Sequence, residues 1–172
     1  MGLRGWNSIK NILKYGEFEF SIDFSAHKSF DRIRLSDQGV KEFMYGIENS
    51  TSLVHLNIKE NNITAIGMDV IRNYLPKTQI KVLNISHNPL GNEGIKILAK
   101  LLMMYKFELF ELDISSCQFN QVGAMSIYSC LNANIPLKIL HMNENKLRGP
   151  TIKYFTEAMW KNTRLKKLSM TS

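Results

Sequence analysis

The residues LVHLNIKENNITAIG at positions 53–67 decide the fold, because the chain repeats them. They recur as IKVLNISHNPLGNEG at 80–94, LFELDISSCQFNQVG at 109–123 and LKILHMNENKLRGPT at 137–151, with a partial copy, LKKLSM, at 165–170. The copies begin at residues 53, 80, 109, 137 and 165, so the period is 27 to 29 residues. A fixed period in this range is typical of a solenoid, in which each unit stacks on its neighbours.

One repeat is expected to contain a strand, a turn and a helix. Leu56 and Ile58 alternate with Asn57, which indicates a strand with one buried face. Asn61 follows at the turn, where its side chain can bond backbone groups that a turning chain leaves unpaired. Apolar residues then recur at i, i+3 and i+7, the spacing of one helix face. The four triplets are Met68, Ile71 and Leu75; Ile95, Leu98 and Leu102; Ala124, Ile127 and Leu131; and Ile152, Phe155 and Met159.

Stacked copies of this unit must form a curved α/β structure. The strands would pair into a parallel sheet, and the helices would cover its other side. Neighbouring strands lie ~4.8 Å apart, whereas a helix with its side chains is ~10 Å wide. The stack therefore bends, with the sheet on the concave face and the helices on the convex face.

The pattern L-x-x-L-x-L-x-x-N-x-L-x-x-x-G resembles leucine-rich repeats of the ribonuclease-inhibitor type over about residues 25–172. The resemblance implies the curved solenoid described above. Ribonuclease inhibitors, activators of the Ran GTPase, actin-capping domains, innate-immune sensors and ciliary scaffold subunits all share this repeat. The motif is therefore specific for the fold but not for the function.

The two ends depart from the repeat. We expect an N-terminal cap over residues 1–24, followed by a repeat domain over 25–172 with about five repeats and a final strand. The first unit is imperfect: Val40, Phe43 and Ile47 match the helix triplet, but Lys28 falls where Leu56 predicts an apolar residue. Three explanations are open for the last strand, near Leu168. It could be an exposed sheet edge that is tolerated, it could be covered by a partner chain, or the sequence could be a truncated product. We expect this open end to be a docking surface.

The strand residues between the buried leucines should form the concave face, the first candidate site for a partner. This face is polar and mixed in sign, and arginine or aromatic anchors are missing from its predicted rows. The alternative is an ordinary solvated sheet face. The candidate residues are His55, Asn57, Asn84, Glu111, Asp113 and His141.

The second candidate site is a basic pole. Residues 137–172 contain eight basic and two acidic residues, which gives six of the seven net positive charges. We define the basic pole as Lys153, Lys161, Arg164, Lys166 and Lys167. Such a cluster favours a protein partner with an acidic surface, although it could also be only a solvated basic face. Nucleic acid is not favoured, since few aromatic residues lie among these charges.

The sequence predicts no catalytic, cofactor or metal site. The four histidines are scattered, and no phosphate-binding loop, nucleophile elbow or zinc spacing occurs. The resemblance raises one enzyme-like alternative, activation of the Ran GTPase, for which Arg34 and Arg148 are the nearest arginine candidates. Cys117 and Cys130 are expected to be free thiols that point inward.

The predicted function is that of a non-enzymatic protein–protein interaction module, a scaffold subunit of a larger hetero-complex. Neither a membrane-spanning run nor a secretion signal is apparent, so we expect a cytoplasmic location and no membrane partner. A cytoskeletal or ciliary axoneme setting is the more specific expectation, and it rests on the resemblance. The alternative function is a regulator or inhibitor of an enzyme or small GTPase that binds through the concave face.

Overall fold

The computed structural model describes residues 20–23, 34–104 and 107–171. Along the chain the elements are β1 (Phe20–Asp23), α1 (Ser36–Ile47), β2 (Leu53–Asn57), α2 (Ala65–Tyr74), a 3₁₀ helix (Leu75–Lys77), β3 (Val82–Asn84), α3 (Gly91–Leu102), β4 (Glu111–Asp113), α4 (Gln121–Asn132), β5 (Ile139–His141), α5 (Gly149–Lys161) and β6 (Lys167–Ser169). Within these ranges no helix combines the length and the apolar character needed to cross a bilayer.

The six strands form one parallel sheet in the order of the sequence, from β1 to β6. Equivalent leucines of successive repeats pair across β2 to β5: Leu56 with Leu83, Leu83 with Leu112, and Leu112 with Leu140. The repeat copies therefore align without a shift in register. All four leucines are buried against the helix layer. Consecutive helices also pack side by side. The predicted α/β solenoid is confirmed.

The helix triplets are buried as predicted in the first three copies. In the fourth copy, the prediction that Ile152 is buried is wrong. Its side chain is 56% exposed, whereas its equivalents Met68, Ile95 and Ala124 are fully buried. In α5 the buried face instead consists of Thr151, Phe155 and Ala158. Helices α2, α3 and α4 each pack between two helices, but α5 has a helical neighbour on one side only among the described residues. Ile152 lies on the uncovered side.

The first described strand, β1, lies within the predicted cap. Ile22 of β1 pairs with Leu56 and lies inward beside it, whereas Lys28, which the repeat period places there, lies outside the described residues. The apolar side chain of Ile22 packs against the core, which an ammonium group at this position could not do without losing its hydration. The proposed cap therefore contributes a strand to the repeat sheet. Residues 1–19 of the cap lie outside the described residues, and the boundary at residue 24 stays a prediction.

A buried asparagine joins successive turns. The Asn88 side-chain oxygen accepts hydrogen bonds from the backbone N–H groups of Asn61 (2.9 Å) and Ile63 (3.0 Å). Its amide nitrogen donates to the carbonyls of Ile58 (3.0 Å) and Ile85 (2.9 Å). One side chain thus satisfies backbone groups of two repeats that would otherwise be buried without partners, as the turn position predicts.

Cys117 takes the asparagine position in the next repeat. Its thiol donates to the Ile85 carbonyl at 3.4 Å, and its backbone N–H donates to the Asn145 side-chain oxygen at 2.9 Å. Burial raises the pKa of this thiol to about 12, and burial raises the pKa of the Cys130 thiol to about 12 as well. Both cysteines are free and buried, as predicted.

One repeat also caps the helix of the next. Thr64 is the N-cap of α2, and its hydroxyl oxygen accepts from the Ile66 N–H at 3.1 Å. The Asp37 carboxylate on α1 accepts from the N–H groups of Thr64 (2.8 Å) and Gly67 (2.9 Å), where the positive end of the helix dipole favours an anion. A Cβ atom on Gly67 would collide with this carboxylate, so the close approach requires glycine here.

Candidate protein-binding surfaces

The six predicted concave-face residues lie together on the sheet. They line one shallow groove of about 460 Å³. Parallel pairing sets two rows across the strands, one through His55 and Glu111 and the other through Asn57, Asn84, Asp113 and His141. The β1 strand extends these rows with Ser21 and Asp23. The sequence therefore located this surface correctly, although its role in binding stays a prediction.

Three of the six side chains stabilise the backbone conformation at the ends of their strands. Each accepts a hydrogen bond from the backbone N–H two residues further on, the arrangement of an Asx turn. The bonds are Lys59 N to Asn57 Oδ1 (3.1 Å), Ser86 N to Asn84 Oδ1 (3.0 Å) and Ser115 N to Asp113 Oδ1 (2.9 Å). These acceptors have a structural role whether or not a partner binds, which leaves His55, Glu111 and His141 as the freer candidates.

The two histidines of the groove lie far apart. His55 and His141 lie on β2 and β5 and in different rows, three strand intervals or ~14 Å apart across the sheet. Across residues 20–23, 34–104 and 107–171, no group of three His, Cys, Asp or Glu residues could hold a metal ion. The groove offers separate polar contacts rather than one chemical centre.

The residues of the basic pole are all exposed, but they occupy two faces. Lys153 and Lys161 lie on α5, eight residues or about 12 Å apart along the helix. Lys166 and Lys167 lie at β6 in the sheet layer, and Arg164 lies in the connection between the two elements. None of the five side chains forms an ion pair with another described residue. The pole is therefore a rim around the end of the described solenoid rather than one flat patch.

A further row of side chains crosses the sheet one residue before the row of His55. Backbone hydrogen bonds connect it: Phe110 N donates to the Lys81 carbonyl, Lys138 N to the Phe110 carbonyl and Lys166 N to the Lys138 carbonyl, each at 2.8 Å. These four residues follow the first leucine or isoleucine of their repeat copies. Aligning the copies from that position would have shown the row, which the alternation of buried leucines alone did not.

Phe110 is the aromatic member of this row. Its side chain is 42% exposed, and the Lys138 Nζ atom lies 4.4 Å from the centre of its ring, a cation–π contact. The ring lies in a groove of about 340 Å³ whose lining includes Lys81, Glu108 and Arg164. The alternation of buried leucines did not connect Phe110 with these lysines.

The fold and these faces define a curved repeat solenoid that presents surfaces to other proteins. Residues 49–71 and 78–99 match the leucine-rich repeat family. Ribonuclease inhibitor from Mus musculus is 30% identical over 127 residues, which is 73% of this chain and 28% of the inhibitor. NACHT, LRR and PYD domains-containing protein 14 from Mus musculus is 31% identical over 127 residues, 73% of this chain and 13% of that protein.

Two solved structures share the fold. The leiomodin-1 actin-binding site 2 domain superposes with a TM-score of 0.65 at 18% identity, covering 92% of this chain and 87% of that one. The tropomodulin C-terminal domain from Caenorhabditis elegans gives a TM-score of 0.64 at 16% identity, covering 91% and 92%. This chain belongs to the leucine-rich repeat proteins of the ribonuclease-inhibitor type, and it is a protein-interaction module of that class. It spans less than a third of the two curated relatives' lengths.

Proposed function

We propose that this chain is a non-enzymatic interaction module that forms part of a larger assembly and binds an acidic protein surface through its basic pole. The observation that carries the proposal is the set of five exposed cations that have no ion-pair partner in the described part of the chain. Elsewhere in the described part of the chain, four basic residues form ion pairs: Arg72, Lys77, Lys81 and Lys96.

The energetic argument depends on several charges acting together. A single exposed ion pair contributes only ~0–1 kcal/mol. The charges of the pole add up in the field that a partner meets within about 8 Å of the surface in physiological salt, which raises its association rate and excludes partners of like charge. Binding through the pole should therefore weaken steeply as salt increases, and this dependence distinguishes it from an apolar contact.

The intracellular setting that we propose is a cytoskeletal assembly. Its support is limited to the shared fold, since one solved structure with this architecture is titled an actin-binding site. At 18% identity the likeness shows the architecture alone, so we do not propose actin itself as the partner. The ciliary axoneme stays a prediction from the sequence.

A second candidate function is the regulation or inhibition of an enzyme through the concave face. The groove of about 460 Å³, which brings His55, Glu111 and His141 onto one surface, supports it. The relationship to ribonuclease inhibitors supports it as well. The turn-forming roles of Asn57 and Asn84 reduce the number of side chains that are free to recognise an enzyme.

Charge reversal separates the two functions. The first variant carries Lys153→Glu, Lys161→Glu, Lys166→Glu and Lys167→Glu, and the second carries Glu111→Lys on the concave face. Tagged forms would be purified from native cells and their partners identified by mass spectrometry. We expect the first variant to lose acidic partners and the second to keep them. The opposite result, with partners lost only on Glu111→Lys, would replace the proposal with the inhibitor function.

A matched control keeps the test specific. The double variant Lys153→Glu/Lys161→Glu is compared with Lys41→Glu/Lys100→Glu, which reverses two exposed lysines on α1 and α3. Both doubles change the net charge equally. We expect weaker partner binding only for the α5 double. Equal weakening in both would mean that overall charge, and not the pole, attracts the partner.

A further inference from the structure

The groove around Phe110 combines an exposed ring with three cations, two of which have no ion-pair partner in the described part of the chain. Phe110 is the aromatic centre, Pro136 adds apolar surface, and Lys81, Lys138 and Arg164 surround them. The acidic side chain in the lining is Glu108, whose carboxylate lies 3.9 Å from the Lys81 ammonium. Lys138 and Arg164 have no ion-pair partner among the residues that the structure describes. The groove therefore has an apolar floor and a net positive rim.

The positive charge continues along the sheet. The row of Phe110 also contains Lys138 and Lys166, and Lys167 pairs with Ile139 in the neighbouring row. From Lys81 to Lys166 the row crosses three strand intervals, or ~14 Å. An extended segment with ~3.3 Å per residue would cover this distance with about four residues. The size fits a short segment better than a whole protein domain.

The geometry points to a short acidic protein segment, with one apolar side chain placed against Phe110 and Pro136, as the ligand of this groove. The inference rests on the proposed interaction function and gives it a specific site outside α5. The apolar side chain would displace water from the exposed ring, while carboxylates on either side would meet Lys138, Arg164 and Lys166. A central apolar contact with a polar rim is the usual arrangement of a protein interface.

Single-stranded RNA is the competing ligand, and the groove suits it less well. Proteins that bind single strands without sequence preference stack successive bases on several aromatic rings. This groove has one ring, and Glu108 lies in its lining, where its charge would repel a phosphate backbone. A peptide needs only one apolar contact and can place its carboxylates away from Glu108.

The experiment measures the fluorescence anisotropy of a labelled probe peptide, Glu-Asp-Glu-Phe-Glu-Asp-Glu, at low and at physiological salt. We expect saturable binding that weakens with salt. Replacing the peptide's Phe with Ser should weaken it about tenfold or more, as should Phe110→Ala or Lys138→Glu in the protein. Lys100→Glu on α3 makes the same charge change away from the groove and should bind like the wild type. Thermal unfolding of each variant would confirm that it folds.

Three results would overturn the inference. Wild-type protein that does not bind the probe would exclude the groove, and the proposed function would survive if native partners still required the basic pole. Binding that persists in Phe110→Ala and Lys138→Glu but disappears in Lys153→Glu/Lys161→Glu would move the site to α5. A labelled uridine 12-mer would show a nucleic-acid site instead if it bound the wild type more tightly than the peptide does and lost this binding in Phe110→Ala and Lys138→Glu.

Discussion

The middle repeats and the last described repeat share one sequence pattern but differ in their surfaces. Between β2 and α4, the apolar positions of the pattern are buried, and Asn88 joins two successive turns. In the last repeat, Ile152 is exposed and Lys153 and Lys167 have no ion-pair partners within the described ranges. The comparison teaches that the same repeat position can be buried in one unit and exposed in another.

The largest expected effect comes from removing the same kind of apolar side chain in each region. Leu112→Ala in β4 should reduce the free energy of unfolding by ~2–5 kcal/mol, because it leaves a cavity in a fully buried site. Ile152→Ala should change it by less than ~0.5 kcal/mol, since the side chain is largely hydrated already. Urea denaturation of both variants checks the difference. Equal losses would mean that Ile152 is buried in solution.

A smaller difference is expected for two glycines. Gly67→Ala forces a methyl group against the Asp37 carboxylate and should destabilise the fold by ~1–3 kcal/mol. Gly149→Ala at the start of α5 meets open space and should be neutral or stabilise by up to ~1 kcal/mol. Thermal unfolding of the two variants measures this contrast. Destabilisation by Gly149→Ala would show that the start of α5 is more crowded than the structure indicates.

The last contrast concerns the reactivity of thiols rather than stability. It compares the labelling rate of a buried thiol in the middle repeats with that of an exposed thiol in the last repeat. With its pKa raised to about 12, Cys117 stays protonated in the folded state at pH 8, so a thiol-specific reagent should label it slowly. In an Ile152→Cys variant, the new thiol on the exposed side of α5 should react rapidly. Fast labelling of both Cys117 and Cys130 in the wild type without denaturant would contradict the described core.

The same pKa values predict the direction of a pH effect. The unfolded thiols titrate near ~8.5, whereas in the folded state they titrate near 12. Above the unfolded value, the unfolded state releases protons that the folded state retains, so stability should decrease as pH rises from about 9 towards 12. Replacing both cysteines with Ala should reduce this slope.

The repeat determined most of the fold without any structure. Leucines at a fixed spacing predict strands with one buried face. Neighbouring strands lie closer together than neighbouring helices can, so the stack must curve. The α/β solenoid and the two concave rows follow from these two points. The same reasoning located the six concave candidates on one face. It could not detect that Asn57, Asn84 and Asp113 already bond the backbone, because Asx turns depend on local dihedral angles.

Other features depended on how the elements pack. The strand that pairs with β2 comes from the predicted cap, at Ile22, since the register of a strand follows the neighbour with which it pairs and not a counted period. The exposure of Ile152 depends on which helices flank α5. The groove at Phe110 forms because parallel pairing places Lys81, Phe110, Lys138 and Lys166 side by side from four separate repeats. Sequence periodicity determined what each unit is, whereas contacts between units decided which of its side chains remain available to a partner.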